Sequence, residues 1–190
     1  QAVTLHQQGR LAEAERIYLE IIRKNPAIVG PRYMLGVLRL QQGNAAEAVA
    51  LMAPSARVNP DDVATQMNFA MALRAAGRLN EALEHFQRAA ILKPGLAEAH
   101  YNTGVVQAEL GRFENAIESY EKALILYPGM LMARGNLGIA LASVGRLDEA
   151  LAQYDTVLAV QPGDPSTLYN RGLAHQARGK FDDALTDFET

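Results

Sequence analysis

The sequence contains no cysteine, which rules out both a disulfide framework and a thiolate metal site. That is the composition expected of a reducing compartment, and a cytoplasmic location is the expectation. Long hydrophobic runs are also missing. No stretch of about 18 apolar residues could cross a bilayer, and no basic-then-apolar leader opens the chain, so no membrane partner is expected. Charge of one sign is scarce too: the formal net charge is −3, which gives no general attraction to nucleic acid or anionic lipid. Catalytic signatures are absent as well. There is no HExxH, no phosphate loop and no G-x-S-x-G element. Of the four histidines, His100 and His175 fall on the core-facing side of their helices and are expected to be packed residues. No enzyme activity, catalytic residue, metal or cofactor is therefore expected.

What the sequence does have is a period. Gly9, Gly43, Gly77, Gly111, Gly145 and Gly179 are spaced by 34 residues, and Pro26, Pro60, Pro94, Pro128 and Pro162 keep the same step. A period of this length, held without insertion, marks one supersecondary unit copied and stacked. The expected organisation is a single solenoid over 1–190. Complete repeats span 29–62, 63–96, 97–130 and 131–164, with partial ones at 1–28 and 165–190. Both ends fall inside a repeat and the first residue is not methionine, so a piece of a longer protein is expected. Apolar stripes of the terminal repeats (Leu11, Ile17 and Tyr18 at one end, Ala184, Leu185 and Phe188 at the other) are then expected to lack neighbours and to favour self-association.

The unit from 97 to 130 shows how one repeat is built. His100, Thr103, Gly104 and Gln107 share one face of a first helix, and Glu98, Tyr101, Asn102, Val105 and Glu109 share another. Gly111 ends that helix with a positive φ. In the second helix Ala116, Tyr120, Ala123 and Leu124 form a buried stripe that Ile117 and Ile125 widen. Pro128 stops it and pushes Tyr127 out of the α region. Gly104 and Ala116 mark the crossing of the two helices. Elsewhere Asp164 before Pro165 predicts a capped helix start. Asp148 and Asn80 are expected to cap second helices, with Leu147 and Leu79 before them as staples. Pro54 is expected to kink its helix or end it early.

These residues resemble the tetratricopeptide-repeat pattern over the whole chain. Its Leu-Gly pair stands as Leu35-Gly36 and Leu137-Gly138, softened to Phe69-Ala70, Thr103-Gly104 and Arg171-Gly172. Its small residue is Ala14, Ala48, Ala82, Ala116, Ala150 and Ala184, and the aromatic four residues later is Tyr18, Phe86, Tyr120, Tyr154 and Phe188, with Met52 the exception. No copy has the family's tryptophan; Arg32, Gln66, His100, Arg134 and Leu168 stand there. The resemblance implies an all-α right-handed superhelix whose first helices line the concave side. It also implies a protein-interaction scaffold binding a protein or peptide.

On those inner faces Asn68, Asn102, Asn136 and Asn170 keep one register, and Tyr33, Met67, Met71, Tyr101, Val105, Ile139 and Tyr169 accompany them. Of the 25 inner positions only Glu98 and Glu109 are charged, against about five expected at the chain-wide 21%. None is basic, which argues against a nucleic-acid track. An amide offers a donor and an acceptor, so the asparagines either grip the backbone of an extended peptide or brace the next repeat. The methionines and tyrosines either accommodate varied partners or fill gaps between helices. The asparagine register is similar to that of O-linked N-acetylglucosamine transferase repeats, where such residues hold substrate polypeptide. A substrate-recruiting segment of a larger glycosyltransferase is the alternative reading. The lysine-and-arginine clamp with which other members hold chaperone tails is absent.

Overall fold

The computed structural model describes residues 1–190 and contains twelve α-helices and no strand. They form two compact units, Gln1–Lys93 and Pro94–Thr190. The first holds α1 (Ala2–Gln7), α2 (Leu11–Lys24), α3 (Gly30–Gln41), α4 (Ala45–Val58), α5 (Val63–Ala75) and α6 (Leu79–Leu92). The second holds α7 (Ala97–Glu109), α8 (Phe113–Leu126), α9 (Leu131–Ser143), α10 (Leu147–Val160), α11 (Pro165–Ala177) and α12 (Phe181–Glu189). Within each unit the helices pack as consecutive hairpins, each contacting the next.

The periodic glycines make the hairpins. All six have φ between 72° and 80°, and no other residue has a positive φ. Around Gly111 the amide of Arg112 donates to Gln107 and that of Gly111 donates to Ala108, the two-bond helix ending in which the left-handed residue is nearly free only for glycine. The other five glycines repeat it, so one local rule closes every hairpin. The long connections end as the prolines predict: Tyr127, before Pro128, lies at φ −138°, ψ 86°.

Helix starts partly differ from expectation. Asp164 caps α11 and accepts from the Thr167 amide, with Pro165 at the first turn, and Asp62 caps α5 onto Thr65 in the same way. Asn80 and Asp148 are not caps. Arg78 and Arg146 occupy those places, because the glycine ending leaves no room for a staple residue before the helix. Each arginine instead pairs with the glutamate three residues on, Glu81 or Glu149, as Arg10 does with Glu13. The arginine hydrogen bond holds each of these exposed carboxylates below its usual range. Pro54 does not end α4, which runs 14 residues like α2, α6, α8 and α10. The carbonyl that the proline leaves without a donor belongs to exposed Ala50, where water can satisfy it.

Within each unit the core sits between the helices of a pair and the next pair. In the second unit Tyr120 and Tyr154 are buried with Leu137, Leu141 and Leu151. Each aromatic lies against a glycine: a Cβ on Gly104 would fall 2.7 Å from Tyr120 Cε1 and 3.2 Å from the Ala116 carbonyl, and Gly138 and Gly172 meet Tyr154 and Phe188 in the same way. The expected crossing at Gly104 and Ala116 is thus present. Ile125 does not widen the stripe; it is 79% exposed, on the face of α8 opposite buried Ala123. Of the terminal stripes, Leu185 and Phe188 are exposed, whereas Tyr18 is buried in a cluster with Ala2, Ala14, Leu35 and Leu38.

Each hairpin from α5 onward also carries a polar pair between its two helices. These are Gln66 with His85, Gln107 with Ser119, Arg134 with Gln153, and Arg171 with Asp187. Burial lowers the pKa of His85. Where the family's tryptophan would be, Arg32, His100 and Arg134 hydrogen-bond the carbonyls of Pro26, Pro94 and Pro128, so a polar tether to the loop replaces the indole.

Candidate functional site: the inner faces of the first helices

First helices two elements apart touch one another, α3 with α5 in the first unit and α7 with α9 and α9 with α11 in the second. Their outward-facing residues form the inner face of each unit. In the first unit this face holds Tyr33 and Asn68: the Asn68 amide donates to the Tyr33 hydroxyl at 2.6 Å, and that hydroxyl lies 3.4 Å from the Ala64 carbonyl. Met67 is half-buried beside them and Met71 is exposed.

The second unit repeats the pair one hairpin apart. Asn136 donates to the Tyr101 hydroxyl at 3.2 Å. Asn102 bonds back to the Glu98 carbonyl of its own helix at 2.8 Å, and Asn170 is half-buried without such a partner. The four asparagines are therefore not equivalent: two brace neighbouring repeats and two do not. Ile139 and Tyr169 are exposed on this face. Val105 is not available there, being 9% exposed and part of the core around Tyr120. His100 and His175 are half-buried; His100 is bonded to the Pro94 carbonyl as expected, whereas the buried Nδ1 of His175 has no hydrogen-bond partner and lies 3.9 Å from Asp183.

Two clefts open on the inner face of the second unit. One, of about 350 Å³, lies between α9 and α11 and is bordered by Tyr101, Met132, Gly135, Asn136, Ile139 and Asn170. The other, of about 330 Å³, shares Ile139 and Asn170 and continues to Ser143, Leu173 and Ala177. Tyr154, from α10, is part of the floor of both. Sequence reasoning placed Tyr154 in the family's aromatic column and missed this second role, because it depends on neighbouring first helices leaving a gap. The signal was the glycine at position 135, where the column otherwise holds Tyr33, Met67, Tyr101 and Tyr169.

Burial pushes the Tyr154 hydroxyl up from its ordinary 10.0 to about 12. The unfolded chain then loses this proton first. Its contribution to stability is complete below pH 10 and is lost as pH rises towards 12. Denaturation followed by circular dichroism across that window is expected to show the fall in wild type, and a smaller fall in Tyr154→Phe. Tyr18, raised by burial in the same sense, accounts for part of what remains. Equal slopes in the two proteins would remove the assignment.

No group of three or more His, Asp or Glu side chains is placed to hold a metal ion. No helix is long and apolar enough to cross a membrane.

With the hairpins, glycines and inner faces in place, family comparison gives one answer. Tetratricopeptide-repeat profiles match residues 33–97 and 67–130, 107–169, and 1–20 with 165–186, and the chain belongs to the tetratricopeptide-repeat family. Comparison with curated proteins finds no match. Among solved structures, a tetratricopeptide-repeat protein from Parabacteroides merdae is similar over 99% of this chain and 75% of its own, at 22% identity and a TM-score of 0.84. MamA is similar over 82% of this chain and 91% of its own, at 24% identity and a TM-score of 0.76. YrrB, described as a TPR protein with an unusual peptide-binding site, covers 90% and 89%, at 22% identity and a TM-score of 0.74. At these identities the likeness is one of fold.

Proposed function

We propose that this protein is a non-enzymatic protein-interaction scaffold that takes up an extended segment of a partner polypeptide on the inner faces of its first helices. The observation that carries this reading is a nearly uncharged surface with amide side chains in register beside open clefts. Amides match a peptide backbone, which offers a donor and an acceptor at each residue and no net charge. Family membership supports a protein partner, and the description of YrrB as peptide-binding is in keeping with it.

Replacing Asn68, Asn102, Asn136 and Asn170 together by alanine is the test, with peptides selected from a displayed random library as the probe. The variant is expected to stay helical and to lose at least about tenfold in affinity. Binding is expected to vary little with salt, because no basic residue lines the inner face to release counterions. Unchanged affinity would remove the amides from the binding surface, and loss of the helical signal would show that the bracing by Asn68 and Asn136, and not peptide binding, is what the register supplies.

A further inference from the structure

The inner-face column alternates along the chain: Tyr33, Met67, Tyr101, Gly135, Tyr169. Thirty-five residues after the first two tyrosines stand the two asparagines that bond to them, Asn68 and Asn136. Thirty-five residues after Gly135 stands Asn170, which has no phenol to meet and borders both clefts. Packing gives Gly135 no reason to be glycine. A Cβ there meets nothing within 4 Å, in contrast to Gly138 one turn on, where it would collide with Tyr154. Glycine inside a helix is unfavourable, so an opening is kept at a position where a side chain would fit and would favour the helix.

Resting on the peptide-binding reading above, we infer that the gap left at Gly135 is a side-chain subsite. It takes one aliphatic or aromatic residue of an extended peptide, while the free Asn170 amide bonds that peptide's backbone. The chemistry of the walls selects the occupant. Met132 and Ile139 present apolar surface, and no cationic side chain borders the cleft to receive an acidic residue. The carboxylate of Asp164, at the rim, is already committed to the Thr167 amide and disfavours an anionic guest. The positions of Tyr33 and Tyr101 are closed by their phenol–amide bonds to Asn68 and Asn136. The asparagine register thus divides into Asn68 and Asn136, which hold repeats together, and Asn170, which reads the guest.

Gly135→Tyr is the decisive variant, because it supplies the missing phenol, lets Asn170 pair as Asn136 does and closes the cleft. Gly135→Ala adds helix propensity without filling it, and Gly135→Leu fills it without a phenol. Dodecapeptides selected on the wild-type chain from a displayed random library serve as probe, with affinities read by fluorescence anisotropy. Enriched peptides are expected to share one aliphatic or aromatic residue. Binding is expected to weaken about tenfold or more in Gly135→Tyr, Gly135→Leu and Asn170→Ala, and to weaken less in Gly135→Ala, whose methyl group leaves most of the gap open. In Gly135→Tyr the side-chain amide resonances of Asn170 should also move as those of a bonded asparagine do, a readout independent of any peptide. If Gly135→Tyr and Gly135→Leu bind as wild type does, while the fourfold asparagine variant does not, the subsite is wrong and the peptide-binding reading stands. If no peptide is enriched on the folded wild-type chain, both fail.

Discussion

Truncation of Tyr154 to alanine is expected to lower stability by about 3–5 kcal/mol, the range for removing a fully buried aromatic. Tyr154 is 1% exposed, its ring lies on Gly138, and it joins Leu137, Leu141 and Leu151 in one cluster. The loss exceeds the transfer free energy of the side chain, because Gly138 and Ala150 are too small to collapse into the space left behind. Tyr127→Ala, at a residue 55% exposed, is the control and should stay within about 0.5 kcal/mol. Urea unfolding followed by circular dichroism reads both. Gly138→Val probes the contact from the other side and should cost about 1–3 kcal/mol by overpacking. A Tyr154→Ala shift no larger than that of Tyr127→Ala would show that the second unit is not closely packed there.

A comparable effect is expected from Asp187→Asn. The side chain of Asp187 is 3% exposed and accepts two hydrogen bonds from the Arg171 guanidinium, which also reaches Asp155 at 2.8 Å. Those bonds hold the Arg171 guanidinium well above its ordinary pKa. Neutralising Asp187 leaves Arg171 with only the exposed Asp155, at a cost of about 3 kcal/mol. Replacing both Arg171 and Asp187 by leucine should recover most of it, since no uncompensated charge then remains. The loss should persist in 1 M salt. The exposed pairs Arg10–Glu13, Arg78–Glu81 and Arg146–Glu149 are expected to contribute little and to be screened there. If Asp187→Asn unfolds at the same urea concentration as wild type, the pair is not a stabilising contact.

The architecture was legible because its rules are local. A glycine every 34 residues dictates each helix ending, and proline dictates each long connection, so neither depends on tertiary context. Helix starts were harder to read. Asn80 and Asp148 are good capping residues, yet the glycine ending sets the first helical residue one position before them, at Leu79 and Leu147. Ile125 was misplaced because a stripe drawn at helical spacing has no sharp edge, and the neighbour that decides its burial lies outside its own repeat. On the inner faces the sequence showed which residues share a register. It could not show that Asn68 and Asn136 are engaged while Asn170 is not, since that depends on how closely neighbouring first helices bring the phenol of one to the amide of the next. Val105 was assigned to the groove for the same reason that Ile125 was assigned to the core: periodicity ranks positions around a helix and does not measure cover.

Copied hairpins face a problem of identity, since any first helix could pair with any second helix. The polar pairs between helices answer it by differing from copy to copy: an amide with an imidazole, an amide with a hydroxyl, a guanidinium with an amide, a guanidinium with a carboxylate. A helix paired one repeat out of step would put Gln153 in the place of Asp187 and leave the Arg171 guanidinium without its buried carboxylate, and a charge so left is penalised far more than a matched one is rewarded. Each hairpin thus carries its own address. An artificial array built by repeating the 97–130 unit would keep every glycine and proline and lose those addresses, leaving its helices free to slip by whole repeats and to exchange between chains.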